Sequence, residues 1–100
     1  MDRSDIDIRL EEHGAKGRFF VELDGHDEAA ELTFSRASDV LVIVDHTGVP
    51  DSMRGMGIGK ALAERVVEEA RRQGFRIVPL CPFFKAQALR HPEWSDVVQG

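Results

Sequence analysis

Apolar and polar residues alternate through the first third of the chain and take up a helical period later. Ile6, Ile8 and Leu10 alternate with Asp7, Arg9 and Glu11, the period of two expected of a strand with one buried face. After the turn His13-Gly14-Ala15-Lys16-Gly17, Phe19, Val21 and Leu23 share one face of a second strand. Asp24-Gly25 is a turn signal, and Ala30, Leu32 and Phe34 alternate beyond it. Three short strands with tight turns predict an antiparallel meander. Val40-Leu41-Val42-Ile43-Val44 is a continuous apolar run, the expectation for a central strand covered on both faces. Polarity rises again through Asp45-His46-Thr47-Gly48-Val49, and Pro50 then blocks further ladder pairing.

From about Gly57 to Gln73 the period changes. Ile58, Leu62, Val66 and Ala70 recur every fourth residue, flanked by Ala63 and Val67, and form one apolar stripe. Charged residues from Lys60 to Arg72 cover the remainder, with a Glu68–Arg72 pair one turn apart. Arginines in the last turn suit the helix dipole, and Gly74 is a natural stop. Phe75 to Leu80 reads as a fifth strand whose Pro79 lacks a donor, so pairing should fail there on one side. Pro82 can open a shorter helix to about Arg90, ended by His91-Pro92. The predicted fold class is α/β of the α+β type: a mixed sheet in the order β-β-β-β-α-β-α. Its strand–helix–strand unit should be a right-handed crossover between parallel strands.

Composition narrows the function classes. One hundred residues fit a single domain over positions 1–100. A net charge of −5 argues against general nucleic-acid binding, which needs a basic face. No apolar run approaches the roughly 20 residues that cross a bilayer, and Met1-Asp2-Arg3-Ser4-Asp5 lacks the character of a secretory signal. The single cysteine, Cys81, fits a reducing compartment, so the expected location is cytoplasmic. His13, His26 and His91 show no metal-ligand spacing, and no metal is expected.

The densest chemical signal is Arg54-Gly55-Met56-Gly57-Ile58-Gly59-Lys60. It joins a strand to a helix, where backbone N–H groups and the positive end of the helix dipole attract anions. Glycines let the main chain come close to such a ligand, and Arg54 and Lys60 add formal charge. A Walker loop would need glycine at Arg54 and Ser or Thr at Ala61. A dinucleotide fingerprint would need glycine at Lys60. Both fail, which leaves a small nucleotide-binding protein as the least favoured reading. Arg-x-x-Gly-x-Gly resembles the coenzyme A pyrophosphate turn of the GNAT acetyltransferases.

That resemblance extends over residues 43–62, from Ile43 to Leu62, and over residues 80–98, where Cys81-Pro82-Phe83-Phe84 and His91-Pro92-Glu93-Trp94 stand. It is closest to the compact GNAT-like N-acetyltransferases of about 100 residues, which lack the usual helices between the first two strands. The resemblance implies acetyl-CoA as cofactor and an amine as acceptor, in a monomer or homodimer without nucleic-acid or membrane partners. It also implies a pantetheine arm beside Val49, where the fourth and fifth strands part, and a pyrophosphate on the N–H groups of Arg54, Gly55, Met56, Gly57, Ile58, Gly59 and Lys60. A non-catalytic acetyl-CoA-binding module is the alternative.

Transfer to an amine needs a base, and the departing thiolate needs a proton. Many GNAT enzymes use a tyrosine as that acid, and this chain has no tyrosine. Cys81, at a helix entrance, is the substitute, either as acid or as nucleophile; its bland reading is a small buried hydrophobe. His46 is the candidate base, or else a tie for its strand. The family often carries Glu two residues later, where this chain has Gly48. Phe83, Phe84 and Trp94 read as packing.

Overall fold

The computed structural model describes residues 6–99. The reading of Met1–Asp5 therefore concerns residues outside that range. Five strands form one sheet in the spatial order β1-β2-β3-β4-β5. They are β1 (Arg9–His13), β2 (Lys16–Val21), β3 (Ala30–Ser38), β4 (Leu41–Gly48) and β5 (Arg76–Pro79). The first four run antiparallel, and β5 lies parallel to β4 after the crossover helix α1 (Ile58–Gln73). A second helix, α2 (Pro82–Arg90), and two short 3-10 turns, Asp51–Met53 and Pro92–Asp96, complete the order. The predicted mixed sheet and element order are observed. No helix among the described residues is long and apolar enough to cross a membrane.

The alternation in the sequence sorts the sheet into two faces. Phe19, Val21, Leu32, Phe34, Val42, Val44 and Ile77 are buried and join one apolar cluster with Leu62, Val66 and Ala70 of α1 and Phe84 of α2. The opposite face is polar: Arg18 bonds Glu31 at 3.0 Å, and Ser35 bonds Asp45 at 3.4 Å. Arg18 also lies 4.3 Å above the Phe20 ring, covering the one aromatic on that side of β2.

Two expectations are corrected. β1 begins at Arg9 and is exposed along its whole length, with Leu10 40% exposed. Ile6 and Ile8 pack against the core before the strand begins. Among the described residues β1 is the sheet edge and pairs with β2 alone, so no second strand covers it. In β4, Val42 and Val44 are buried, but Leu41 and Ile43 are only half-buried and Val40 is 63% exposed. The run is therefore covered on one face, not two. β4 also continues through the polar stretch to Gly48, because a bulge between Thr33 and Phe34 keeps β3 and β4 paired with Asp45 turned outward onto the Thr33 hydroxyl.

α1 begins at Ile58, the first residue of the apolar stripe, and runs to Gln73. Gly57 is its cap, in the left-handed conformation, and Gly74 closes it in the same conformation with its N–H on the Ala70 carbonyl. Arg72 meets Glu69, one residue beyond Glu68. Glu69, nearly buried, collects Arg65 at 3.2 Å and Gln73 at 2.8 Å as well, so its burial is compensated by donors. Arg71 crosses to Asp96 through two bonds of 3.0 Å. Beyond it the chain returns to the sheet: Ile77 donates to Val97 at 2.7 Å and accepts from Gln99 at 2.9 Å, lining the outer edge of β5.

Candidate functional site

β4 and β5 part company at Val44. Its register partner is Pro79, which has no N–H. The N–H groups of Leu80 and Cys81 then both converge on the Val44 carbonyl, at 3.1 and 3.0 Å. From there β4 runs on to Gly48 without β5 beside it. A groove of about 500 Å³ opens where the strands separate. The start of α1 faces it, and Phe83 at the start of α2 forms a wall.

The glycine turn builds one side of this groove. Gly55 and Gly57 have φ of +84° and +75°, a region that a side chain strongly disfavours. Gly57 offers no side-chain cap, and the first helical bond is that of Ala61 to the Gly57 carbonyl. The N–H groups of Ile58, Gly59 and Lys60 therefore have no partner within the helix and carry its positive end. Gly59 is needed for a different reason. A Cβ there would stand 2.8 Å from the Phe83 ring, so its absence lets α1 and α2 close on one another. Arg54 is exposed at the rim and ion-paired with Asp51 at 2.9 Å.

Val49, Arg54, Gly55, Gly57, Ile58, Gly59 and Lys60 all line the groove. Met56, whose N–H is also expected there, packs its side chain against the core. Thr47, Met53 and Phe83 line it without having been singled out by the sequence motif.

Cys81 and His46 are not brought together. Cys81 is 2% exposed, precedes α2, and donates its thiol hydrogen to the Thr47 hydroxyl at 3.3 Å. It does not itself line the groove, whereas Thr47 does. His46 is exposed and pairs in register with Thr33, whose side chain belongs to the polar face. Its imidazole occupies the space beside Gly48, with Nε2 only 3.1 Å from where a Cβ on that glycine would lie. Thr47, paired with buried Leu32, belongs to the apolar face. Consecutive residues of β4 thus serve opposite sides of the sheet. Chemically, the groove offers main-chain donors and cationic charge to an anion, with a thiol behind it and an imidazole on the far face.

Thr47 could have been found by pattern: two residues after Asp45 in a strand and beside a cysteine-bearing strand end, but only the bulge reveals its direction. Among the described residues no three His, Cys, Asp or Glu side chains gather as metal ligands.

Comparison with known proteins agrees with the fold. Residues 18–97 match the family model described as GCN5-related N-acetyl-transferase. Protein NATD1 of Bos taurus is 29% identical over 85 residues, covering 85% of this chain and 75% of that protein. Protein NATD1 of Homo sapiens is 28% identical over 85 residues, with the same 85% and 75% coverage. An NMR structure of a GCN5-like protein from Staphylococcus aureus superposes with a TM-score of 0.72 at 32% identity, covering 97% of this chain and 91% of that one.

Proposed function

Because the chain belongs to the GCN5-related N-acetyltransferase family, whose members take their acyl group from acetyl-CoA, we propose that it binds acetyl-CoA in the groove between the parted strands and passes the acetyl group to an amine. The observation that supports this most is the groove itself: unsatisfied N–H groups of Ile58–Lys60 beside Arg54, at the point where β5 leaves β4. The pyrophosphate would rest on those groups. The pantetheine amides would pair with the uncovered stretch of β4 near Val49. Cys81 supplies the proton to the departing coenzyme A, since its thiol is held as a donor and is too enclosed to meet a carbonyl carbon directly. His46, on the polar face, takes the proton of an amine that approaches from that side. That face has no covering helix between β1 and β2, where a two-residue turn, Gly14-Ala15, stands. A peptide or protein amine therefore has room to reach it.

Backbone amide shifts followed during titration with acetyl-CoA, coenzyme A and ATP test the site. The first two ligands are expected to move Gly55 to Lys60 and Val49, and ATP to leave them largely in place. An acetyl-CoA titration that spares those amides removes the reading. Acetyl transfer to a panel of amines and peptides tests the chemistry separately. Binding without transfer would favour the non-catalytic module, a reading that the absence of tyrosine and the Gly48 position support.

A further inference from the structure

We propose that Thr47 is a further catalytic residue, the link through which Cys81 acts: its hydroxyl holds the enclosed thiol and carries the thiol's proton into the groove. This rests on the reading of Cys81 as the proton source in acetyl transfer and names the link which that reading lacks.

Three observations lead to it. Cys81 is 2% exposed and does not line the groove, so it cannot meet a bound thioester directly. Its thiol donates to the Thr47 Oγ1 at 3.3 Å. Thr47 lines the groove and, among the described residues, is the one with a hydroxyl that does so. A hydroxyl has one donor hydrogen and two acceptor lone pairs, so it can accept from the thiol while donating to a group in the groove. Its β-branched side chain on a paired strand is stiff about χ1, which fixes that direction.

The step balances. The amine nitrogen bonds to the acetyl carbon, and the carbon–sulfur bond to coenzyme A breaks. The departing sulfur takes the Thr47 hydroxyl proton as that oxygen takes the Cys81 proton. The amine nitrogen gives its proton to His46, which releases it to solvent, and a solvent proton returns through the Thr47 hydroxyl to the Cys81 thiolate. Products are the amide and coenzyme A thiol, with the protein restored.

The test compares Thr47→Val, Thr47→Ser and Cys81→Ala in the full chain, with butylamine as acceptor and coenzyme A release as the assay. For Thr47→Val, kcat should fall about a hundredfold, the scale of a lost proton donor, while the KM for acetyl-CoA stays within about twofold. Thr47→Ser should restore most of the rate, and the Val variant combined with Cys81→Ala should be no slower than Cys81→Ala alone. If Thr47→Val does not fold, Thr47→Ala carries the same expectations. The infrared S–H band of the chain's only cysteine gives a readout independent of turnover. It should move to higher frequency in Thr47→Val and hold its place in Thr47→Ser. An unmoved band, or a slow Cys81→Ala beside a fast Thr47→Val, overturns the role of Thr47 alone. Full turnover in Cys81→Ala overturns the reading beneath it. If the unsubstituted chain transfers nothing, that too defeats the underlying reading, and the band still decides whether Thr47 holds the thiol.

Discussion

Single atoms set several of this protein's constraints. A Cβ on Gly17 would stand 2.5 Å from the tip of Phe34, a core ring 3% exposed. Gly17→Ala should therefore cost about 1–3 kcal/mol of stability, by overpacking, and urea unfolding would measure it. Arg54 lies at the other extreme. Its exposed pair with Asp51 contributes little to stability. Arg54→Ala should leave the unfolding midpoint in place yet weaken acetyl-CoA binding by up to about fivefold, the worth of one exposed ion pair. Calorimetric titration beside thermal unfolding separates the two effects. The sequence made Gly55, Gly57 and Lys60 legible, because charge and glycine spacing are written along the chain. It could not show that Gly59 makes way for Phe83, a contact between residues 24 positions apart that exists only once both helices are docked.

At the scale of elements, α1 is the most legible part of the fold. Its four-residue period directs Ile58, Leu62, Val66 and Ala70 into the core, and all four are essentially buried. Leu62→Ala should cost about 2–5 kcal/mol, since the side chain is fully enclosed by sheet and helix. A shift of the chemical denaturation midpoint without a change in slope would confirm a packing loss. Strands were less legible. The Val40–Val44 run looks the same whether one face or both are covered, and β1 has alternation without burial. Period alone gives which residues share a face, not what lies opposite. The bulge in β3–β4 is the sharper case: it turns Asp45 and His46 to one side and Thr47 to the other, and no local pattern announces it.

Across the whole molecule, the two ends of the α/β half are tied by charge as well as by packing. Arg71 of α1 grips Asp96, and this hydrogen bond holds the Asp96 carboxyl below the usual carboxylate range. A lowered folded-state pKa means that the tether stabilises above the ordinary pKa of aspartate. It is lost as pH falls through the lowered value. Amide shifts of Val97 and Gln99 should therefore move together in that acidic window, and Asp96→Asn should abolish the transition. The sequence signalled neither this tether nor the return of Val97–Gln99 to β5. Both join segments about 20 residues or more apart through an irregular stretch, where no periodicity operates.

The separation of β4 from β5 has a consequence for time as well as for shape. The first half of β4 has a strand on each side, while its second half, Asp45–Gly48, is held by β3 alone. One strand should thus show two regimes of deuterium uptake: slow at Val42 and Val44, faster at positions whose N–H faces the gap. An internal edge of this kind is a template for anything extended that carries amides. Filling it would lengthen the sheet's hydrogen-bonded ladder by a ligand in place of a strand, and the faster positions would slow towards their neighbours.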